Sequence, residues 1–128
     1  MLSAEGLGFV AERHLATFSS LRADGTPHVT PVGFTWDDAA GLARVICSGG
    51  SRKARNAAVR PDVAICQVDG RRWLTLEGTA RVSDDPDEVA DAVARYAARY
   101  RPPRVNPSRV VVVVSVARVL GSAVLLSR

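Results

Sequence analysis

Apolar and polar residues along this chain change period several times, and each change marks a candidate element. Residues 3–13 carry Leu7, Val10 and Ala11 at helical spacing, which predicts a short helix. Residues 15–22 then alternate as a strand. Ala23-Asp24-Gly25-Thr26 follows as a hairpin signal, since Asp-Gly readily takes the positive φ angles of a tight turn. Residues 28–36 are predicted as the partner strand, 37–41 as a second turn and 42–48 as a third strand, so the chain opens as an antiparallel meander.

A different rhythm follows. Residues 51–59 are predicted as a short helix closed at Arg60-Pro61, where proline ends helical geometry. Residues 63–68 form a buried strand, Asp69-Gly70 a turn, and residues 73–82 a strand with alternating apolar positions. Residues 85–100 give the clearest helix: Asp85 caps it, Pro86 suits its first turn, and Glu88 completes an Asp-x-x-Glu capping pattern. Val89, Val93, Tyr96 and Tyr100 make its apolar stripe, with arginines gathered at its C-terminal end. A proline-rich loop spans 101–107. The five valines from Val110 to Val114 dominate a strand over 109–120 that is buried on both faces, and residues 123–126 are expected to pair as a last strand. The expected fold is mainly β with helices, a six-stranded antiparallel barrel decorated by helices.

Length and composition narrow the class. The 128 residues suit a single domain with one core, and 47% hydrophobic with 23% charged residues is the balance of a globular chain. No apolar run reaches the ~20 residues that cross a bilayer. Residues 1–13 carry Glu5, Glu12 and Arg13 without a basic-then-apolar leader pattern, so a cytoplasmic location is expected. Cys47 and Cys66 form no CxxC pair and are expected as buried free thiols.

The net charge of +4 is carried almost wholly by arginine, because Lys53 is the only lysine. A basic balance suits an anionic partner. The clusters Arg52-Lys53-Arg55, Arg71-Arg72 and Arg99-Arg101-Arg104 are scattered, and neither a zinc-finger nor an RNP signature accompanies them, which disfavours nucleic acid. Conventional catalytic sets are absent: no GxSxG elbow, no GxGxxG or Walker pattern, and His14 and His28 are too isolated to propose a metal site.

Two segments invite chemistry. In the first, a strand ends at Ser48, Gly49 and Gly50 remove side chains, and Ser51 stands where a helix should start. Backbone N–H groups at such a start are unpaired and partly positive, so they bind phosphate. The hydroxyls of Ser48 and Ser51 add donors, and Arg52 and Lys53 add charge. The plainer explanation is a Ser51 cap on an exposed helix. Cations in a first turn oppose the helix dipole, however, and that mismatch favours a bound anion. The second segment is the 28–36 strand, where Pro31 and Gly33 interrupt good alternation. They fit either an edge strand with a bulge or a surface where a planar ring lies on the backbone of Thr30, Pro31 and Val32.

Together these stretches, with "RHLATFSSLRADGTPHVTPVGFTWD", "ARVICSGGSRKARN", "VDGRRWLTLEGTARV" and "RYRPPRVNPSRVVVVVSVARVLGS", resemble the split β-barrel flavin and deazaflavin oxidoreductases of the pyridoxamine 5′-phosphate oxidase class. The likeness is strongest to the actinobacterial coenzyme F420-dependent branch and its biliverdin-reducing group. It implies a homodimer with two cofactor sites at the subunit interface and a small-molecule substrate, a conjugated compound such as biliverdin that receives a hydride from reduced F420. Carried over by motif, the phosphate falls on Ser48, Ser51, Arg52 and Lys53. The ring falls along Thr30, Pro31 and Val32, beside Arg44 and Cys47, and Trp73 is the candidate from the second subunit. The C-terminal extension of true pyridoxamine phosphate oxidases has no counterpart after Leu126. An arginine-rich groove matches the polyglutamate tail of F420 better than FMN, which needs only the local cradle. An FMN-binding oxidoreductase of the same fold and a non-enzymatic flavin carrier are the alternatives.

Overall fold

A computed structural model describes residues 1–127. Its elements run α1 (Ala4–Ala11), β1 (Ala16–Leu21), β2 (Pro27–Val32), β3 (Thr35–Asp37), β4 (Leu42–Ser48), α2 (Arg52–Val59), β5 (Asp62–Asp69), β6 (Arg72–Ser83), α3 (Pro86–Arg99) and β7 (Arg109–Gly121), then a 3₁₀ turn at Ala123–Leu125. The turns fall where Asp-Gly placed them, with Gly25 at φ 86° and Gly70 at φ 63°.

The strands form one seven-stranded sheet in the order β2-β1-β5-β6-β7-β4-β3, every pairing antiparallel. The class is the mainly β one expected, but the strand count is seven rather than six. Gly33 and Phe34 split the expected 28–36 strand, so its second half pairs with β4 as β3 instead of continuing along β1. Instead of a ladder strand over 123–126, Ala123–Leu125 forms the 3₁₀ turn and Leu126 makes an isolated bridge to Leu2.

Phe18, Val32, Val45, Ile65, Leu74, Leu76, Val112 and Val114, drawn from both ends of the strand order, pack in one core cluster with Phe9. The sheet therefore curls around a shared interior. The valine run is buried on both faces as its composition predicts: Val112 and Val114 face that core, while Val111 and Val113 lie under Ala92 and Val89 of α3. A register shift at Glu77/Gly78 bends β6 against β7.

α3 starts as predicted, with the Asp85 carboxylate accepting from the Glu88 N–H at 3.3 Å. The capping box is only half made, because Glu88 turns to Arg81 at 2.7 and 3.0 Å instead of reaching back. At its other end the Arg99 guanidinium ties the fold together. It donates to the carbonyls of Glu12, Phe34 and His14 and to Gln67 Oε1, and lies 4.6 Å from the Phe34 ring centroid.

Candidate functional site

The strand-to-helix corner after β4 is built from backbone bonds. Gly49 N–H donates to the Ser108 carbonyl at 2.8 Å, and Ser51 N–H to the Ser48 carbonyl at 3.0 Å. A Cβ on Gly49 would meet Val110 Cγ1 at 3.2 Å, so the close approach of β4 and the start of β7 needs a small residue there. The Ser51 hydroxyl caps α2 by accepting from the Ala54 N–H at 3.4 Å, which leaves the N–H groups of Arg52 and Lys53 without helical partners. No acidic residue offsets the dipole in this first turn.

Beside this corner lies a cavity of about 320 Å³. Pro31, Val32 and Gly33 form one wall, and Ile46, Cys47 and Ser48 another. β2 is one edge of the sheet and β4 lies next to the other edge, so the cavity occupies the place where the curled sheet fails to close on itself. Lys53 and Arg109 supply its positive charge, and neither has a carboxylate within 4.0 Å among the described residues. The cavity therefore has the make-up of an anion site with a partly apolar wall.

The loop before β7 completes it through Pro103 and Asn106. The Asn106 amide donates to Ser48 Oγ at 2.9 Å, while its oxygen accepts from the Ser108 N–H at 3.0 Å and hydroxyl at 3.2 Å. Arg109 is folded back on the same loop by donating to the Arg104 carbonyl at 2.5 Å. Tyr96 of α3 closes the remaining side. Gly33 is what admits it: a Cβ there would meet Tyr96 Cε2 at 2.9 Å and Tyr100 Cε2 at 3.0 Å. Glycine thus lets a tyrosine, rather than a free ring ligand, approach the β2 backbone at this residue.

Of the sequence-predicted residues, Pro31, Val32, Cys47, Ser48 and Lys53 meet at the cavity. Ser51 and Arg52 stand behind it on the helix start, and Thr30 lies one residue further along β2, opposite Phe18. Arg44 points elsewhere. Its guanidinium donates to Asp37 at 3.0 Å and lies 3.9 Å from Asp91 of α3, which hold it away from the cavity although it shares a face of β4 with Ile46. That bond holds the Asp37 carboxyl below its usual range.

Trp73 is also remote within its own chain. Leu74 pairs with Gly121 and Ser48 with Arg109, so Trp73 and Ser48 sit at opposite ends of β7, roughly 40 Å of extended strand apart. The cysteines are free and half-buried rather than fully buried. Gly33, Ile46, Tyr96, Pro103, Asn106 and Arg109 were not singled out for the site from sequence. The period of Tyr96 places it in an apolar stripe, and the loop carries only its proline signal.

The family model for pyridoxamine 5′-phosphate oxidase matches residues 2–123. The chain belongs to the pyridoxamine 5′-phosphate oxidase family. Among curated relatives of this family, it is 57% identical over 127 residues to the F420H2-dependent biliverdin reductase of Mycobacterium tuberculosis (strain CDC 1551 / Oshkosh), spanning 99% of this chain and 93% of that one. Among solved structures, a conserved hypothetical protein of Mycobacterium tuberculosis superposes with a TM-score of 0.81 at 24% identity, covering 94% of this chain and 84% of that chain. An F420 reductase does so with a TM-score of 0.73 at 24% identity, covering 88% and 94%. At these identities the solved structures bear on the fold, and the split barrel of the pyridoxamine 5′-phosphate oxidase family is the shared feature.

Proposed function

We propose that this chain is a coenzyme F420-dependent reductase whose substrate is biliverdin. The observation that carries the reading is the convergence of Lys53, Arg109 and Ser48 with the backbone of Pro31 to Gly33 on one cavity in the barrel split. The relative 57% identical, named for reduced F420 and biliverdin, supplies the specific cofactor and substrate.

The residues present fit such a cofactor. Lys53 and the Ser48 hydroxyl, with the unpaired N–H groups of Arg52 and Lys53 and the side chains of Ser51 and Arg52 at the α2 start, would hold the phosphate. Arg109 and the exposed Arg101 and Arg104 of the adjoining loop would neutralise a polyglutamate tail. Pro31, Val32 and Cys47 would flank the ring. When bound, the reduced deazaflavin supplies the hydride; the chain's part is orientation and charge compensation.

Residues 1–128 would act as one cofactor-binding domain in a cytoplasmic homodimer. Trp73, 40% exposed at the far end of β7, is suited to closing the cavity of a second copy rather than its own. Thr30 would extend the ring wall, whereas Arg44 would act only by holding Asp37 and α3 in place. The test is reduction of biliverdin followed by absorbance, with F420H2 or reduced FMN as donor. Turnover with F420H2 and none with FMN supports the reading; turnover with FMN alone overturns it.

A further inference from the structure

Lys53 is the only lysine in the chain, and its amine has no carboxylate within 4.0 Å among the described residues. The helix face that carries it is fixed. Asn56 and Ala57, three and four residues on, are buried, and the Asn56 amide donates to Ser20 Oγ on β1 at 3.1 Å. Arg52 and Arg55 lie on the exposed side of α2. Lys53 instead lines the cavity in the barrel split with Ser48 and Arg109, and it keeps part of its surface open to solvent.

A small phosphate-bearing ligand meets a nucleophile there as well as charge. The Arg109 guanidinium and the free N–H groups of Arg52 and Lys53 hold phosphate without reacting with it. The Ser48 oxygen accepts from the Asn106 amide, so its own proton is free to point at an anion. Lys53 differs from these donors, because an uncharged amine attacks carbonyl carbon. In an acyl phosphate that carbon is one bridging oxygen away from phosphorus. An amine within reach of the bound phosphate is therefore within reach of the carbonyl as well. Holding the two together raises their effective concentration, and the neighbouring cation stabilises the oxyanion that forms. The Met1 amine has no such surroundings: it donates to Ser127 Oγ at 2.8 Å and lies outside this cavity.

We propose that Lys53 is an acylation site for acyl phosphates, and that its acylation closes the cavity to anions. The amine nitrogen forms a bond to the carbonyl carbon. The bond from that carbon to the bridging oxygen breaks, inorganic phosphate leaves with the electron pair, and water takes the proton from nitrogen. Nothing is oxidised or reduced. The product is an uncharged amide, so the cavity loses its lysine charge and the acyl group occupies the phosphate's place. The inference rests on the anion-site reading of this cavity and not on which ring system the anion carries.

The test is to incubate the full-length protein in phosphate-free buffer with acetyl phosphate, and in parallel with p-nitrophenyl acetate, an acetyl donor without phosphate. Peptide mass spectrometry follows acetylation of Lys53 and of the Met1 amine over time. Acetyl phosphate should modify Lys53 about tenfold faster than Met1 or more, and p-nitrophenyl acetate should show no preference for Lys53. Added inorganic phosphate should slow the Lys53 reaction saturably and leave Met1 unaffected. Protein acetylated at Lys53 should bind F420 about tenfold more weakly or worse in a fluorescence titration. Equal rates at Lys53 and Met1, the same Lys53 preference with p-nitrophenyl acetate, no slowing by phosphate, or unchanged F420 affinity after acetylation would each overturn the proposal. Selective acetylation of a protein that does not bind F420 would support it while overturning the cofactor reading, so the two fail separately.

Discussion

Asn106 and Ser48 are 58 residues apart in sequence, yet the Asn106 amide donates to the Ser48 hydroxyl at 2.9 Å. The bond ties the proline-rich loop to the end of β4 and fixes the hydroxyl at the mouth of the cavity. Asn106→Ala removes it in a half-exposed place, where little packing is lost. The expected result is about tenfold weaker F420 binding with a denaturation midpoint close to that of the wild type, compared by fluorescence titration and urea unfolding.

Gly33→Ala tests a different contact. The added Cβ would sit 2.9 Å from Tyr96 and 3.0 Å from Tyr100, and both rings are packed against each other at 4.8 Å, so neither withdraws freely. Tyr100 is further held by its hydroxyl bond to the His14 carbonyl at 2.7 Å. We expect destabilisation of about 1–3 kcal/mol by urea unfolding, the usual cost of overpacking. Gly50→Ala serves as the control, because a Cβ there meets nothing within 4 Å.

The Arg81–Glu88 pair gives a pH signature. Hydrogen bonds from Arg81, and then from the Ser83 hydroxyl, lower the Glu88 carboxyl from its ordinary 4.5 to about 2. A folded value below the unfolded one means the stabilisation is complete above pH 4.5 and is lost as pH falls from 4.5 towards 2. The stability gap between wild type and Glu88→Gln, measured by thermal unfolding across pH, should therefore be present at neutral pH and shrink through that window. The pair is exposed, so the gap is small and diminishes in high salt.

These contacts also show what the sequence could and could not disclose. Local chemistry was legible: Asp24-Gly25 and Asp69-Gly70 formed their turns, Ser51 and Asp85 capped their helices, and the valine strand took its two buried faces. The break at Gly33–Phe34 was only hinted at: Pro31 and Gly33 interrupt the alternation, but nothing local shows that Tyr96 and Tyr100 pack at Gly33 or that Thr35–Asp37 pairs with β4 instead of β1. Residues 123–126 look like a strand in isolation, and they turn because Ser3, Gly6 and Leu2 of the N-terminus pack onto Leu125 and Leu126.

The cavity was legible to the same degree. Its strand-end and helix-start members, Ser48 and Lys53, stand out as a basic first turn after two glycines. Asn106, Arg109 and Tyr96 come from distant parts of the chain, and nothing in their local pattern distinguishes them from loop, strand-end and stripe residues. Arg44 carried the right charge on the same face of β4 as Ile46 and Ser48, but it lies further from the strand end and is held by Asp37 and Asp91, partners that its local pattern does not show.

The claim that the barrel-split cavity is a deazaflavin site is tested most directly by titrating wild-type protein and Lys53→Ala with F420 and with FMN by fluorescence. Lys53 is half-exposed and unpaired, so its replacement should leave the fold intact. The account predicts tighter binding of F420 than of FMN, and F420 affinity reduced about 10- to 100-fold in Lys53→Ala, as expected for loss of one charge-assisted phosphate contact. Unchanged F420 affinity in a folded Lys53→Ala, or tighter binding of FMN by the wild type, would contradict it.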